Sequence, residues 1–365
     1  MDGRRDGRMR QGRRRPFAFA GCLTALVAGL ALAAGFVLTA AADARAADLV
    51  VAGSTDRSAM DPLLAGFAAA HPDVRVTYLE RDTVDLYEAV VGGALDPAPD
   101  VVISSAADLQ IRLVNDGHSR PYRSAATARL PDWARWRDEA FGFTFEPLVF
   151  VTNRTLLPKA AAPRTRSALA ALIQGRPDLA GRVATYDVET SGVGYLTSSL
   201  DALLMSDYWP FVDAVSDGGL LTFCCTSDVI DAVADGRAAV GYNVLGSYAL
   251  ARQAAGTPID IVYPEDFMAV VSRVALLMRQ SPNPDAAERF LDYLLSVEAQ
   301  RVLAREALLS AIDPAVTDGF GQASIRADAR GPIRPIALNA QLLALTDPLR
   351  RARFIALWLS VVRAP

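Results

Sequence analysis

Short apolar runs alternate along the chain with segments whose apolar residues recur at helical spacing. Such runs predict strands, and the 3.6-residue spacing predicts helices. The first helix stops at His71-Pro72, because a residue before proline disfavours the helical conformation. The βαβαβ order of the first third is typical of a parallel, doubly wound α/β sheet with both faces covered. The predicted strands are residues 49–52, 75–80 and 100–103, and the predicted helices are residues 60–70 and 85–93.

Two further apolar runs divide the chain into two predicted lobes. Residues 141–153 have the extended, apolar character of a segment that crosses from one lobe to the other. Residues 259–264 have the character of a segment that crosses back. We therefore predict one lobe from residues 47–147 plus 264–365, and a second from residues 148–263. The remaining predicted elements are strands at 183–186 and 238–243 and helices at 167–174, 195–204, 209–216, 228–235, 284–307 and 336–362.

The N-terminal segment has the pattern of an export signal. Residues 16–42 carry no charge, seven arginines precede them, and Ala44-Arg45-Ala46 offers small residues at the cleavage positions. We predict a signal peptide over residues 1–46 and a periplasmic mature chain that starts at Ala47. The apolar run is also long enough for an uncleaved membrane anchor, which would place the body on the same side of the membrane.

The net charge of the chain limits the classes of binding partner that we expect. The 365 residues include 37 Lys plus Arg and 41 Asp plus Glu, for a formal charge of −4. Without the Arg-rich leader, residues 47–365 carry a formal charge of −9. Nucleic acid is not expected as a partner, because phosphate binding needs a basic face. We expect a monomer that binds a small molecule.

Signatures of catalysis and metal binding are missing from the sequence. It has no nucleophile elbow, phosphate-binding P-loop or zinc-protease motif, and its two histidines lack ligand spacing. The body retains only Cys224 and Cys225, which form either a strained vicinal disulfide or an inert buried pair. The buried pair is favoured because Phe223-Cys224-Cys225 looks like a strand end. We therefore expect neither an enzyme nor a cofactor or metal site.

Hydroxyl-rich turns follow three predicted strands. Such turns can present backbone N–H groups and hydroxyls to an anion, and ligands of open α/β sheets bind at the carboxyl ends of strands. Ser and Thr are also ordinary helix N-caps, so each turn alone has a purely structural explanation. Three together favour a shared oxyanion-binding cleft formed by Ser54, Thr55, Ser104, Ser105, Thr190, Ser191 and Gly192.

Several segments together resemble one protein family. The order of segments 49–52, 67–74, 99–106, 145–153, 189–195 and 285–300 resembles the extracellular solute-binding proteins of ABC importers. Within them it is most similar to the ferric-iron and phosphoglycerate-regulatory group. The resemblance implies a two-lobe type II periplasmic-binding-protein fold that closes on a ligand, with ligand residues at the three turns and at Tyr242 and Asn243.

The expected function is capture of an organic or phosphate-bearing anion for delivery to an ABC permease. One alternative is a ligand-sensing subunit that reports to a membrane sensor kinase, as the resemblance also allows. The other is a ferric-iron-binding protein. Iron-binding members use adjacent tyrosines, a carboxylate and often a histidine, whereas Tyr242 and Tyr248 are separated and the first turn has no histidine. That departure disfavours direct binding of iron.

Overall fold

Two mixed β-sheets form the framework of the chain. The computed structural model describes residues 47–306 and 309–362, so the predicted signal peptide or anchor lies outside the described residues. The strands are β1 (Ala47–Gly53), β2 (Val74–Glu80), β3 (Val101–Ser104), β4 (Arg135–Trp136), β5 (Ala140–Gly142), β6 (Glu146–Asn153), β7 (Val183–Tyr186), β8 (Leu220–Phe223), β9 (Val240–Leu245), β10 (Ile259–Val262), β11 (Met268–Val271), β12 (Val274–Leu277) and β13 (Ile333–Pro335).

Helices cover the faces of these sheets. None of those described is long and apolar enough to cross a membrane. The helices are α1 (Arg57–Ala70), α2 (Thr83–Val91), α3 (Ala107–Asn115), α4 (Arg166–Gly175), α5 (Gly192–Leu204), α6 (Tyr208–Val215), α7 (Thr226–Ala234), α8 (Gly246–Ala254), α9 (Pro284–Leu294), α10 (Val297–Arg305), α11 (Gln322–Asp328) and α12 (Pro348–Val362).

The first sheet has the strand order β2-β1-β3-β12-β5-β4. Its β1, β2 and β3 are parallel, as the βαβαβ pattern predicted. The late strand β12 adds antiparallel to β3, which the local pattern did not indicate. Helix α1 buries its apolar stripe against this sheet, where Phe67 meets Phe290 of α9 edge to face at 5.1 Å between ring centroids. We call this sheet with α1–α3, α9 and α10 lobe 1.

The second sheet has the order β13-β11-β6-β9-β7-β8, and β10 also pairs with β6. Every residue of β6 is buried, which explains why residues 146–153 read as an almost continuous apolar run. We call this sheet with α4–α8 lobe 2. The chain passes between the sheets before Glu146, again through Ser272 and Arg273, and a third time between β12 and β13. The α/β class and two-lobe fold are thus confirmed, whereas the proposed boundaries at 147/148 and 263/264 stay a prediction.

Two long predicted helices are interrupted. The predicted helix 284–307 is the pair α9 and α10, because the Ser296 side chain accepts the Ala299 N–H and starts a new helix. The segment 336–362, which was predicted to be helical, is helical only in part. A 3₁₀ helix at Ala340–Ala344 is followed by α12, which starts at Pro348 after the Asp347 carboxylate caps the Arg350 N–H at 2.9 Å.

Asp108 on α3 makes the stability of the chain sensitive to pH. Its side chain is fully buried, and burial raises its pKa from 3.8 to about 7, more than Arg351 lowers it. Between about pH 4 and 7 the folded chain therefore holds a proton that the unfolded chain releases. The stability that protonated Asp108 contributes is complete below about pH 4 and is lost as the pH rises through 7.

We expect Asp108→Asn to be more stable than wild type at pH 8 and to lose this advantage towards pH 4. Asparagine has nearly the same shape and carries no titrating proton, so the difference between the two proteins isolates this group. Urea unfolding of both at pH 5 and pH 8 measures it. A difference that does not change with pH would contradict the buried, protonated carboxyl.

Candidate functional site

A small cavity of about 50 Å³ lies between the two lobes, with room for only a few water molecules. It is small because side chains from the two lobes touch across it. Its lining comes mainly from strand ends and helix starts, where open α/β sheets bind ligands. The lining residues are Ser54, Asp56, Asp82, Thr83, Ser105, Val193, Cys224, Cys225, Thr226, Leu245, Tyr248 and Arg273.

The serine turns of lobe 1 meet at the cavity. Ser54 follows β1, and its hydroxyl donates to the Ser104 hydroxyl at 3.2 Å, at the end of β3. Ser104 also accepts the Ala106 N–H, so its hydroxyl is engaged within the turn. Ser54 and Ser105 line the cavity, whereas Ser104 lies behind them. The parallel pairing of β1 and β3 brings these turns together, as the strand-end argument predicted.

Arg273 forms the base of the cavity. It is 1 % exposed, and its Nη1 donates to Thr55 Oγ1 at 2.8 Å while its Nε donates to Glu146 Oε1 at 3.3 Å. Its Nη2 is buried and has no hydrogen-bond partner among the described residues. Thr55 is itself fully buried and supports Arg273 rather than lining the cavity. A buried guanidinium with an unused donor offers one charge-assisted hydrogen bond to an anionic group.

Carboxylates line another part of the cavity. Asp56 of lobe 1 accepts hydrogen bonds from the hydroxyls of Tyr248 and Ser227 in lobe 2, both at 3.0 Å. Burial raises the pKa of Tyr248 to about 12, so its hydroxyl stays protonated and can donate. Burial also raises the pKa of Asp82, as do the neighbouring carboxylates Asp85, Asp228 and Asp56. The cavity therefore has a cationic base and an anionic rim.

The turn before α5 closes the cavity from lobe 2. The Gly192 N–H donates to Thr83 Oγ1 of lobe 1 at 2.8 Å. Ser191 is fully buried, and its hydroxyl accepts the Gly194 N–H, so it caps α5. Thr190 is exposed, and its N–H donates to the Asp187 carboxylate. In this predicted turn, Gly192 thus contacts the opposite lobe. The Ser191 hydroxyl is an ordinary helix N-cap, which was the purely structural explanation of the turn.

We expect Ser191→Ala to lower the free energy of unfolding by about 1 kcal/mol, because α5 would lose its N-cap hydrogen bond. The matched control is Thr190→Ala, which leaves the backbone contact to Asp187 in place and should change little. Urea unfolding of the two variants beside the wild type measures the difference. Equal stability of Ser191→Ala and Thr190→Ala would contradict the capping role.

Tyr242 and Asn243 do not line the cavity. Tyr242 donates through its hydroxyl to Asp201 at 2.6 Å and accepts from Arg166 Nε at 2.9 Å. Asn243 donates from Nδ2 to the same carboxylate at 2.6 Å. Arg166 and Asp201 are almost completely buried, so these groups form a polar network inside lobe 2. Their positions are explained by that network, without a ligand.

The cysteines differ from the expected inert buried pair, so that expectation was wrong. Cys224 and Cys225 form a vicinal disulfide, and both are half-buried in the wall of the cavity. They follow β8, as expected of a strand end, but the strand stops at Phe223. The turn between β8 and α7 then brings both sulfurs to the cleft instead of the sheet interior.

Sequence reasoning missed Arg273, Asp56, Asp82, Thr83 and Tyr248 as lining residues. Arg273 could have been found from one signal, which is a single arginine within the apolar run 268–278. Charged residues are almost never fully buried unless they are paired, so such a residue indicates a partner or a ligand. Its partner Glu146 shows the same signal in the apolar run of β6.

Comparisons with known proteins agree with the two-lobe fold. The family model for bacterial extracellular solute-binding proteins matches residues 49–306. No curated protein sequence gives a match. Among solved structures, the substrate-binding protein of an ABC transporter from Agrobacterium tumefaciens is 34 % identical with a TM-score of 0.81, over 89 % of this chain and 96 % of that one.

Two more distant structures have the same fold. AfuA from Actinobacillus pleuropneumoniae, with exogenous fructose-6-phosphate bound, is 18 % identical with a TM-score of 0.67, over 87 % of this chain and 99 % of its own. Iron-bound HitA from Pseudomonas aeruginosa is 17 % identical with a TM-score of 0.67, over 85 % and 99 %. At these identities the likeness carries the fold and not the ligand.

Proposed function

Because the chain belongs to the bacterial extracellular solute-binding proteins and is a substrate-binding protein of an ABC transporter, we propose that it captures a small organic or phosphate-bearing anion between its lobes. Proteins of this class deliver small ligands to a membrane permease. The observation that carries the proposal is the buried Arg273 with its unpartnered Nη2 at the base of the cleft. A carboxylate or phosphate oxygen would satisfy this donor.

Other residues of the lining can bind the part of the ligand that does not contact Arg273. Ser54 and Ser105 contribute small hydroxyl groups to the lining, and Asp56 and Asp82 contribute acceptors. Carboxylates accept hydrogen bonds from hydroxyl or ammonium groups and repel a second anionic group. The preferred ligand therefore has one anionic end and hydrogen-bond donors at the other. A sugar phosphate or a hydroxylated carboxylic acid has this pattern.

Closure of the cleft supplies the mechanism of capture. The contacts of Asp56 with Tyr248 and Ser227, and of Thr83 with Gly192, hold the lobes together. A cavity of about 50 Å³ is too small for most organic ligands, so these contacts must separate before a ligand enters. A ligand that contacts both Arg273 and the lobe 2 residues of the lining then shifts the population towards the closed form.

Direct capture of ferric iron has less support from the cavity. Among its described lining residues Tyr248 is the only tyrosine, and no histidine is present. Tyr248 also donates to Asp56 and retains its proton. The tyrosine pair that iron-binding relatives use is therefore not assembled here.

A thermal-shift screen followed by calorimetry tests the proposal. The exported protein is screened with fructose 6-phosphate, phosphoglycerate, citrate and inorganic phosphate, with neutral sugars and ferric chloride as comparators. We expect an organic anion to raise the melting temperature and to bind one molecule per chain. Stabilisation by a neutral sugar or by bare iron, with no response to any anion, would overturn it.

A further inference from the structure

Three potential metal ligands meet at the rim of the cleft, and a fourth lies beside them. The three are the sulfurs of Cys224 and Cys225 and the carboxylate of Asp82, and the fourth is the carboxylate of Asp228, which approaches Cys224. Cys225 Sγ lies 3.4 Å from Asp82 Oδ1, and Cys224 Sγ lies 3.6 Å from Asp228 Oδ2. The ligand atoms of Asp82, Cys224 and Cys225 all lie within 4.8 Å of one another. Disulfide sulfurs carry no hydrogen, so in the oxidised chain these approaches are contacts and not hydrogen bonds.

The local charge favours a cation at this rim. Asp82 shares the lining of the cavity with Asp56, and Asp228 approaches the adjacent disulfide. No salt bridge to Asp82 or Asp228 is present within residues 47–306 and 309–362. Arg273, the cation at the base of the cavity, is already engaged with Glu146. The carboxylates of Asp82 and Asp228 therefore carry negative charge that no arginine or lysine of the described residues neutralises through a salt bridge.

We propose that reduction of the Cys224–Cys225 disulfide converts this rim into a binding site for a thiophilic divalent cation such as Zn²⁺ or Cd²⁺, held by both thiolates and Asp82, with Asp228 as a fourth ligand. The reductant is an external dithiol. It supplies two electrons and two protons, which break the S–S bond and give two thiols, and it leaves as a cyclic disulfide. The metal then displaces one proton from each thiol. This inference is independent of the identity of the transported anion.

Two sulfur–carboxylate approaches have the spacing of neighbouring ligands in tetrahedral coordination. Zinc–sulfur bonds of about 2.3 Å and zinc–oxygen bonds of about 2.0–2.2 Å place neighbouring sulfur and oxygen ligands roughly 3.5 Å apart. The two observed sulfur–oxygen separations, 3.4 Å and 3.6 Å, already match this value. Two thiolates must sit farther apart than bonded sulfurs, and reduction removes the bond that prevents this. The redox state therefore decides whether the site can form.

Such a site would join the two lobes. Asp82 lies between β2 and α2 in lobe 1, whereas both cysteines and Asp228 belong to the β8–α7 region of lobe 2. A cation bound by Asp82 and the cysteines therefore bridges the cleft at its rim. Metal binding would stabilise the closed form in the reduced protein, by the same population shift that a ligand produces.

Titration with Cd²⁺ or Zn²⁺ alone tests the proposal. The exported chain is reduced with a dithiol, and the dithiol is then removed under anaerobic conditions. The reduced and oxidised chains are compared by calorimetry and by the ultraviolet charge-transfer band from thiolate to cadmium. We expect one ion per reduced chain, release of two protons, and affinity at least roughly 100-fold above that of the oxidised chain. Equal binding by the two redox forms would overturn the proposal.

Single substitutions distinguish a metal site that bridges the two lobes from one formed by the two thiolates alone. Asp82 is exposed, so Asp82→Asn should fold normally, which circular dichroism checks. We expect it to weaken binding by the reduced chain roughly 10-fold or more, and Cys225→Ser to abolish the cadmium band. Asp85→Asn is the matched control, since it removes a nearby carboxylate outside the ligand set. Wild-type affinity in Asp82→Asn, or an equal loss in Asp85→Asn, would contradict bridging through Asp82.

Discussion

Replacement of Arg273 by glutamine is expected to weaken capture of the anionic ligand by roughly 10- to 150-fold. Hydrogen bonds to charged groups contribute about 1.5–3 kcal/mol, and every 1.4 kcal/mol corresponds to a tenfold change in Kd. Glutamine retains a donor but loses the charge and the reach of the guanidinium. Calorimetry with the anion found in the thermal-shift screen measures the change in Kd. Unchanged affinity would remove Arg273 from the binding site.

The same substitution should also lower stability, so the two effects must be separated. Glu146 is fully buried and would lose its cation, and a broken buried pair typically costs about 3–5 kcal/mol. The double variant Arg273→Gln/Glu146→Gln removes the uncompensated charge and should recover much of the stability. It should not recover the affinity. Recovery of both would mean that Arg273 acts on the ligand only through the fold.

Replacement of Arg166 by methionine is expected to lower the free energy of unfolding by about 3–5 kcal/mol while leaving ligand affinity unchanged. Arg166 is 2 % exposed and pairs with the buried Asp201 at 3.5 Å and with Asp266 at 3.1 Å. Its guanidinium also lies 3.8 Å from the ring centroid of Phe267. None of these groups lines the cavity. Arg166→Met is therefore the buried-arginine control for Arg273→Gln.

The stability deficit of Arg166→Met should shrink as the pH falls. Burial raises the pKa of Asp201, and Arg166 lowers it. Without Arg166 the pKa of Asp201 rises further, and protonation at mildly acidic pH then removes the unpaired charge. Urea unfolding at pH 5 and pH 8, beside Arg166→Met/Asp201→Asn, measures this. A deficit that is equal at both pH values, or lost affinity for the ligand, would contradict the assignment of this network to the fold alone.

The apolar periodicity of the sequence was sufficient to predict most of the strands and helices. The strand at Val183–Tyr186 has the predicted bounds, and β1–β3 pair in parallel as their order indicated. The failures came where capping decides the outcome. Ser296 and Asp347 each cap a new helix inside a segment that was predicted to be helical throughout. The apolar periodicity indicates which face of a helix is buried, whereas the capping residue determines where the helix begins.

The candidate site was harder to predict because it joins distant parts of the chain. Ser54 and Ser105 are recognisable from local chemistry, since each follows a strand. Arg273 reaches Thr55 across 218 positions, and only the tertiary fold brings the two together. Tyr242, which the family resemblance implied as a ligand residue, lies outside the lining of the cavity, and its hydroxyl donates to the buried Asp201.

Native mass spectrometry of the exported protein tests the central claim most directly, because a tightly held ligand can remain bound through purification. We predict one small organic anion per chain, whose mass identifies it, and its loss in Arg273→Gln but not in Arg166→Met. A bound metal ion or neutral solute that persists in Arg273→Gln would contradict capture of an anion at the base of this cleft.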